Sequence, residues 1–213
     1  MAQGLRDGQL GRERSLSNAR IIVSASDPLP VSADLENGFG ESPEAVAETI
    51  RLAAATGLVG ASIEDAMEGH GSVYDPTLAA ERIAAAAEVA RSVGFPFTLT
   101  ARAENFIRER PDLDDTIARL QAYERAGADV LFAPGLPTLD AVREVCAALT
   151  KPVNFMAGVP GRSFSVAELT AVGVRRISLA ASLYRAAMGG MVGAAKEIAS
   201  QGTFTYTERN WTG

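Results

Sequence analysis

Residues 31–40 read VSADLENGFG, an apolar run that ends in two carboxylates, Asp34 and Glu36, followed by two glycines, Gly38 and Gly40. Carboxylates at the end of a buried strand are costly unless a cation, a hydrogen-bond network or a substrate meets them. In parallel α/β proteins, ligands bind beyond the carboxyl ends of the strands. The stretch therefore predicts a core strand whose end faces a functional site.

Five further segments of similar character follow along the chain, with alanine-rich helical segments between them. The strand centres lie roughly 23 to 36 residues apart, which is the spacing of βα units. Continuous apolar strands that alternate with helices predict a parallel sheet, either covered on both faces or closed into a barrel. A (β/α)8 barrel usually needs about 250 residues. Six units are therefore compatible either with an open sheet or with a barrel that lacks two strands. The five segments are VGASIED, FPFTLTARAE, ADVLFAP, KPVNFMAG and VRRISLAAS.

The helix boundaries are also legible in the sequence. Ser42 and Asp75 each precede a proline, which is typical of a capping residue followed by the first helical position. Three glycines stand where a helix should end before a strand, and we expect them in the left-handed conformation. They are Gly57, Gly127 and Gly173.

The composition fits one soluble domain. With 213 residues, 20 basic and 26 acidic side chains and a net charge of −6, the chain has no basic block that would indicate nucleic-acid binding. No apolar run approaches the roughly 18 residues that span a bilayer, and the N-terminus lacks a signal-peptide core. We expect residues 1–200 to form a single partial barrel domain. Residues 201–213, QGTFTYTERNWTG, should form an arm that packs on this or a neighbouring subunit.

The single cysteine, Cys146, lies in a helical segment among apolar residues. A lone cysteine excludes an internal disulfide and a CxxC metal site, and it is most often a small core residue. This usage fits a reducing compartment, and we expect a cytoplasmic protein.

Polar residues gather where the predicted strands end. Several carboxylates at one rim repel each other unless a cation neutralises them, and hard oxygen ligands without histidine favour Mg²⁺ or Mn²⁺. Arginine offers a forked donor for a carboxylate or phosphonate. The alternative is a purely structural role, in which each carboxylate caps a helix or pairs with an arginine. The residues are Asp34, Glu36, Glu64, Asp65, Arg102, Glu104, Asn105 and Asn154.

Two further residues carry separate expectations. Asp65 is expected to support its loop rather than to bind metal. His70, the only histidine, lies in the glycine-flanked loop EGHGSVYDP. This loop leaves the rim of the site and could close as a lid, so His70 is a candidate catalytic residue, although a lone loop histidine is more often merely solvated.

Six motifs together resemble those of the isocitrate lyase/phosphoenolpyruvate mutase superfamily, and most closely its carboxyphosphonoenolpyruvate phosphonomutase-like branch. The resemblance runs from about Gly4 to the end. It implies a TIM (β/α)8-type barrel of which this chain carries strands three to eight. It also implies a Mg²⁺-dependent lyase that makes or breaks a C–C or P–C bond next to a 2-oxo acid through a pyruvate enolate. The motifs are VSADLENGFG, ASIEDA, TARAENF, GADVLFAPGL, KPVNFMAG and GVRRISLAASLYRAA.

The resemblance also assigns roles to the candidate residues. By similarity, Mg²⁺ or Mn²⁺ is held largely through waters by Asp34, Glu36 and Glu64. By similarity, Arg102 also binds the substrate carboxylate; Asn154 is a second candidate substrate-binding residue because of its place at a strand end. Arg102, Glu104 and His70 are the candidate catalytic residues. The family's eighth helix commonly exchanges between subunits, which implies a homo-oligomer, a dimer or a tetramer.

Two departures from the family pattern bear on activity. The lyases carry Lys-(Lys/Arg)-Cys-Gly-His after the strand that corresponds to ASIED, whereas this chain has AMEGHGSVYDP. The apolar run Phe132-Ala133-Pro134 replaces a catalytic glutamate or histidine of the relatives. Two hypotheses remain: an enzyme acting on a small 2-oxo or 2-hydroxy acid or phosphonate, or a truncated, inactive paralogue that is only an oligomerising barrel fragment.

Overall fold

The computed structural model describes residues 8–67 and 71–209. Within them, six strands alternate with seven α-helices, and a short 3-10 helix follows the last of these. The strands are β1 (Ser32–Asp34), β2 (Gly60–Glu64), β3 (Thr98–Arg102), β4 (Val130–Phe132), β5 (Val153–Met156) and β6 (Arg176–Ser178). The helices are α1 (Arg12–Ser26), α2 (Pro43–Ala54), α3 (Pro76–Ser92), α4 (Leu113–Ala126), α5 (Leu139–Ala147), α6 (Val166–Ala171), α7 (Ser182–Gln201) and the 3-10 helix Thr205–Arg209.

All six strands lie parallel in one sheet, in the order β1-β2-β3-β4-β5-β6. The sheet curls into half of a barrel, so the predicted α/β barrel type with about six βα units is confirmed. In the described part of the chain, β1 pairs only with β2 and β6 only with β5. The half-barrel thus has two unpaired strand edges.

The two faces of the sheet have different roles because side chains alternate along each strand. One face packs on the helices, with Ile63, Ala101 and Leu131 buried side by side in register. The other face lines the inside of the half-barrel. On this face, one residue from each of β2 to β6 lies in register with its neighbours and forms a row across the sheet: Glu64, Arg102, Phe132, Asn154 and Arg176.

The predicted helix boundaries are confirmed. Ser42 Oγ accepts a hydrogen bond from the backbone N–H of Ala45 at 3.3 Å, and the Asp75 carboxylate accepts one from Thr77 at 2.9 Å. The three glycines before strands all adopt positive φ, 92° at Gly57, 107° at Gly127 and 103° at Gly173. Cys146 is half-buried and packs against the core, where burial raises the pKa of its thiol.

The C-terminal helix α7 differs from the others because none of its residues is buried. The segment after it folds back on it: Glu197 Oε1 accepts hydrogen bonds from the side chain of Thr203 and from Thr205. Trp211 of the predicted arm lies outside the described residues. No described helix combines the length and the apolar character that crossing a bilayer requires.

Candidate active site

The loop after β1 brings its carboxylates to the carboxyl end of the sheet. Asp34 Oδ1 accepts a hydrogen bond from the backbone N–H of Glu36 at 3.1 Å, and the carbonyl of Glu36 accepts one from the N–H of Glu64 at 2.9 Å. Glu36 has φ of 51°, a left-handed turn that the following Gly38, with φ of 83°, continues. The short turn therefore links the three predicted metal ligands through one hydrogen bond to a side chain and one between backbone groups.

Arg102, at the end of β3, is the hub of the site. Its Nη1 donates to Asp34 Oδ2 at 2.8 Å, its Nη2 lies 3.2 Å from Glu64 Oε2, and its Nε donates to Glu104 Oε1 at 2.6 Å. Its guanidinium also lies 5.5 Å from the centroid of the Phe132 ring. Although burial alone would lower the pKa of Arg102, the three carboxylates raise it above its ordinary value. Arg102 is a fixed positive charge.

Arg108, in the loop between β3 and α4, closes a ring of charges with Arg102. Its Nη2 lies 3.4 Å from Glu64 Oε1 and its Nε 3.5 Å from Glu104 Oε2. Each of these two glutamates thus contacts one arginine with each of its oxygens. The sequence analysis missed Arg108, although its position four residues after Glu104 is a spacing at which opposite charges meet on a helical turn.

The two glutamates of the ring are nearly buried. The side chains of Glu64 and Glu104 are 10% and 1% exposed, whereas that of Asp34 is 60% exposed. Burial raises the pKa of Glu64 to about 8 against the lowering effect of Arg102. Glu104 Oε2 has no hydrogen-bond partner in the structure. Burial therefore favours the protonated form of Glu64, and the nearest cation to Glu104 Oε2 is Arg108 Nε, at 3.5 Å.

All of these side chains line one cavity of about 520 Å³. Its walls bring together the predicted Asp34, Glu36, Glu64, Arg102 and Glu104. Asn154 lies two strands from Arg102 along the same row and donates to Ser178 Oγ at 3.0 Å. His70 lies outside the described residues.

A metal ion fits the chemistry of this donor set. Among residues 8–67 and 71–209, no three carboxylate, thiol or imidazole groups are close enough to hold one ion directly. Asp34, Glu36 and Glu64 nevertheless line one cavity with room for waters, and Mg²⁺ usually keeps several waters. The raised pKa of Glu64 and the missing hydrogen bond at Glu104 Oε2 indicate that the surrounding positive charge does not fully compensate these two carboxylates. The residues fit a hydrated divalent cation.

Asp65 supports the site from behind, as expected. Its Oδ1 accepts the backbone N–H of Glu104 at 2.8 Å, and its Oδ2 accepts the Tyr123 hydroxyl at 2.6 Å and Arg119 Nη1 at 3.2 Å. Arg119 Nη1 also donates to the carbonyl of Tyr74 at 2.8 Å. Asp65 therefore ties helix α4 to the backbone that carries Glu104.

Arg82 of α3 is a second residue that the sequence analysis missed. Its buried guanidinium donates to the carbonyl oxygens of Asn37, Gly40 and Glu41, and it lies 4.2 Å from the centroid of the Tyr74 ring. These carbonyls belong to the glycine-containing turn that follows Glu36. Arg82 thus holds this turn against α3. No sequence signal indicated this, because the contacts are to the backbone.

Comparisons with known proteins identify a family and several proteins that are similar to this chain. The sequence model of a family described as "Phosphoenolpyruvate phosphomutase" matches residues 1–199. A Burkholderia cenocepacia J2315 protein of solved structure, described as a lyase/mutase, is 50% identical with a TM-score of 0.94, over 100% of this chain and 76% of that chain. The structure of oxaloacetate acetylhydrolase with its product oxalate has a TM-score of 0.83 and 25% identity, over 92% of this chain and 69% of that chain.

A curated relative adds a third similarity. The oxaloacetate decarboxylase of Bradyrhizobium sp. (strain BTAi1) is 30% identical over 156 residues. The matched region is 72% of this chain and 53% of the decarboxylase. The chain therefore matches about half of this relative's length.

Proposed function

This chain belongs to the phosphoenolpyruvate phosphomutase family, a group of lyases and mutases, and on that premise we propose that it is a Mg²⁺-dependent enzyme of small 2-oxo or 2-hydroxy acids. The reaction breaks or forms a C–C or P–C bond next to the oxo group, with an enolate of the pyruvate type as intermediate. The observation that carries the proposal is the ring of Arg102, Glu64, Arg108 and Glu104 in a cavity at the carboxyl ends of the strands.

The residues of the cavity supply the chemistry that an enolate requires. Arg102 places a permanent positive charge at the site, and preorganised charge is often the largest catalytic contribution. Asp34, Glu36 and Glu64 would hold Mg²⁺ through waters, and the bound ion would add Lewis acidity towards an oxo group. Glu104 Oε1 is bonded to Arg102, whereas Oε2 makes no hydrogen bond and lies 3.5 Å from Arg108 Nε. Oε2 is therefore the oxygen that can take a proton from the reacting carbon or return one to it.

Oxaloacetate is the first substrate to test. Two of the similar proteins, a decarboxylase and an acetylhydrolase, carry oxaloacetate in their names. Decarboxylation of oxaloacetate breaks the bond between C3 and C4, one carbon away from the oxo carbon C2; it releases CO₂ and leaves the electron pair in an enolate of pyruvate. The P–C bond of phosphonopyruvate stands in the same position, and cleavage of the C2–C3 bond of a 2-methylmalate releases pyruvate from the half that carries the hydroxyl. An assay of these acids with Mg²⁺ that follows pyruvate, oxalate and phosphoenolpyruvate separates the enzyme hypothesis from an inactive barrel fragment, which should form none of these products.

Metal binding can be tested without a substrate. We expect Asp34→Asn to weaken Mn²⁺ binding, measured by calorimetry, by at least about tenfold, because it removes one negative charge from the cation site. Asp114→Asn is the matched control, since Asp114 is exposed on α4 and does not line the cavity. Unchanged Mn²⁺ affinity in Asp34→Asn would refute this site.

A further inference from the structure

Arg102 and Arg108 differ in how many of their donors are already in use. Nε, Nη1 and Nη2 of Arg102 each contact a carboxylate at 2.6 to 3.2 Å. Nε of Arg108 has no hydrogen-bond partner, although it lies 3.5 Å from Glu104 Oε2, and Nη2 makes a long contact of 3.4 Å with Glu64. An anion that enters the cavity competes with three short contacts at Arg102 but only with long ones at Arg108.

Arg108 is also the more accessible of the two cations. Its side chain is 31% exposed, against 17% for Arg102. Apart from Arg102, it is the one basic side chain among the described residues that line the cavity. The loop that leaves β2, residues 66–74 with the sequence AMEGHGSVY, contains no lysine or arginine. A second anionic group on a substrate therefore has one arginine left to pair with.

Arg108 is held in place without being saturated. Glu64 and Glu104 contact it at the same time as they contact Arg102, so the two guanidinium groups lie on either side of the same two carboxylates. A guanidinium presents two parallel N–H donors that match a carboxylate or a phosphonate. The arrangement offers two anion-binding positions next to each other in one cavity.

We propose that Arg108 is a specificity-determining residue that binds the distal oxyanion, a carboxylate or a phosphonate, of an acid whose 2-oxo or 2-hydroxy end lies at Arg102. This inference rests on the proposed function and adds that the substrate carries two anionic groups. A dianion and one divalent cation together bring no net charge, so the balance between the four carboxylates and the two arginines of the cavity is retained.

Matched pairs of acids test the role of Arg108. Malate differs from lactate by its distal carboxylate, and phosphonopyruvate differs from pyruvate by its phosphonate. Binding of the four acids, with both enantiomers of each hydroxy acid, is measured by calorimetry in the presence of Mg²⁺. We expect the wild-type chain to bind at least one dianion about tenfold more tightly than its partner. The pair of acids with the larger difference in affinity shows whether the distal group is a carboxylate or a phosphonate.

Two variants and a control isolate the contribution of the paired N–H donors of the Arg108 guanidinium. In Arg108→Gln lactate or pyruvate should still bind, and the preference for the dianion, taken as the ratio of the two affinities within one variant, should fall to within about twofold. Arg108→Lys keeps the charge but loses the fork, so it should retain an intermediate preference. Arg110→Gln, at an exposed arginine of the same loop, should behave as the wild type. Melting temperatures verify that each variant is folded.

The outcomes separate this inference from the proposed function. Failure of the wild-type chain to bind any of the four acids would overturn the proposed function itself. Equal binding of the acids within both pairs, or a full preference retained in Arg108→Gln, would overturn only the role of Arg108. Loss of lactate and pyruvate binding in a folded Arg108→Gln would place the 2-oxo end at Arg108 and would also overturn the distal assignment.

Discussion

Glu124, near the end of α4, is a residue whose charge fastens a helix to the turn before β5. Its Oε1 accepts hydrogen bonds from the backbone N–H of Thr150 at 2.9 Å, from the Thr150 hydroxyl at 2.8 Å and from the N–H of Lys151 at 2.7 Å. Partial burial alone would raise the pKa of Glu124, but these hydrogen bonds outweigh it and lower the pKa below its ordinary value. Its ionised form is therefore favoured by folding.

This shift predicts a stability that depends on pH. Because the pKa is lower in the folded state, the contribution is complete above the unfolded pKa of about 4.5 and is lost as the pH falls through the folded pKa. Glu124→Gln, which resembles the protonated form, should lower the free energy of unfolding by about 1 kcal/mol at neutral pH, a small value because the site is largely solvated. Urea titrations should show this difference vanish in acid. Glu88→Gln, an exposed position on α3, is the control, and a difference independent of pH would contradict the explanation.

At the scale of single residues, the sequence predicted which side chains lie near the site better than it predicted the contacts that they make. Asp34, Glu36, Glu64, Arg102 and Glu104 line one cavity, as expected from their places at strand ends. That Arg102 already contacts three carboxylates could not be predicted, because contacts between different strands depend on the curl of the sheet and on rotamers. Arg108 was missed because it lies beyond the strand end, in a loop.

At the scale of elements, the turn after β1 depends on α3. Arg82 donates to three carbonyls of this turn, of which that of Asn37 is buried and those of Gly40 and Glu41 are partly buried, and a buried carbonyl without a partner costs about 1–3 kcal/mol. Asn37 Nδ2 adds a contact of 3.3 Å to the hydroxyl of Tyr74, on which Arg82 stacks. The conformation that carries Glu36 to the cavity is thus fixed by a neighbouring helix as well as by its own glycines.

Replacement of this arginine should loosen the turn. We expect Arg82→Met to lower the free energy of unfolding by about 3 kcal/mol, since some of the freed carbonyls can regain water. Amide hydrogen exchange should accelerate at Gly38 and Phe39, whose N–H groups are bonded within the turn. Arg91→Met, at an exposed position on the same helix, should leave exchange in the turn unchanged. Equal protection of the turn in both variants would show that its glycines suffice.

The elements themselves were predictable for identifiable reasons. Proline after Ser42 and Asp75 and glycine before the strands act through local sterics and capping, so each could be recognised from neighbouring residues alone. Arg82 acts instead across more than 40 residues of sequence on backbone atoms, and backbone partners leave no pattern in side-chain types. Such contacts follow only from the assembled fold.

At the scale of the whole molecule, α7 carries apolar side chains that the described chain does not cover. Leu183 and Met191 are 68% and 57% exposed, and Tyr184, Val192 and Ile198 also face outward. Within residues 8–67 and 71–209, the outer edges of β1 and β6 are unpaired as well. Exposed apolar surface and open strand edges favour association, so the homo-oligomer expected from the sequence stays a prediction that can be tested at this surface.

Association through α7 can be tested in solution. We expect light scattering to give the mass of a dimer or tetramer, and Met191→Asp to shift the chain towards monomer because a carboxylate would be buried at the contact. Val166→Asp introduces the same charge at an exposed apolar residue of α6 and should leave the mass unchanged. A wild-type chain that remains monomeric at high concentration would rule out this interface.

The order of the strands has a consequence for how the chain reaches its fold. Each strand pairs with the one that precedes it in the sequence, as Ser32 with Gly60, Gly60 with Thr98 and Thr100 with Val130. Each pairing in the described sheet joins strands that are separated by a single helix, and the entropy cost of closing a loop grows only slowly with its length. Folding can therefore proceed one βα unit at a time, with each completed unit serving as a template for the next. The half-barrel resembles in this respect a repeat protein, whose stability is a sum over neighbouring units.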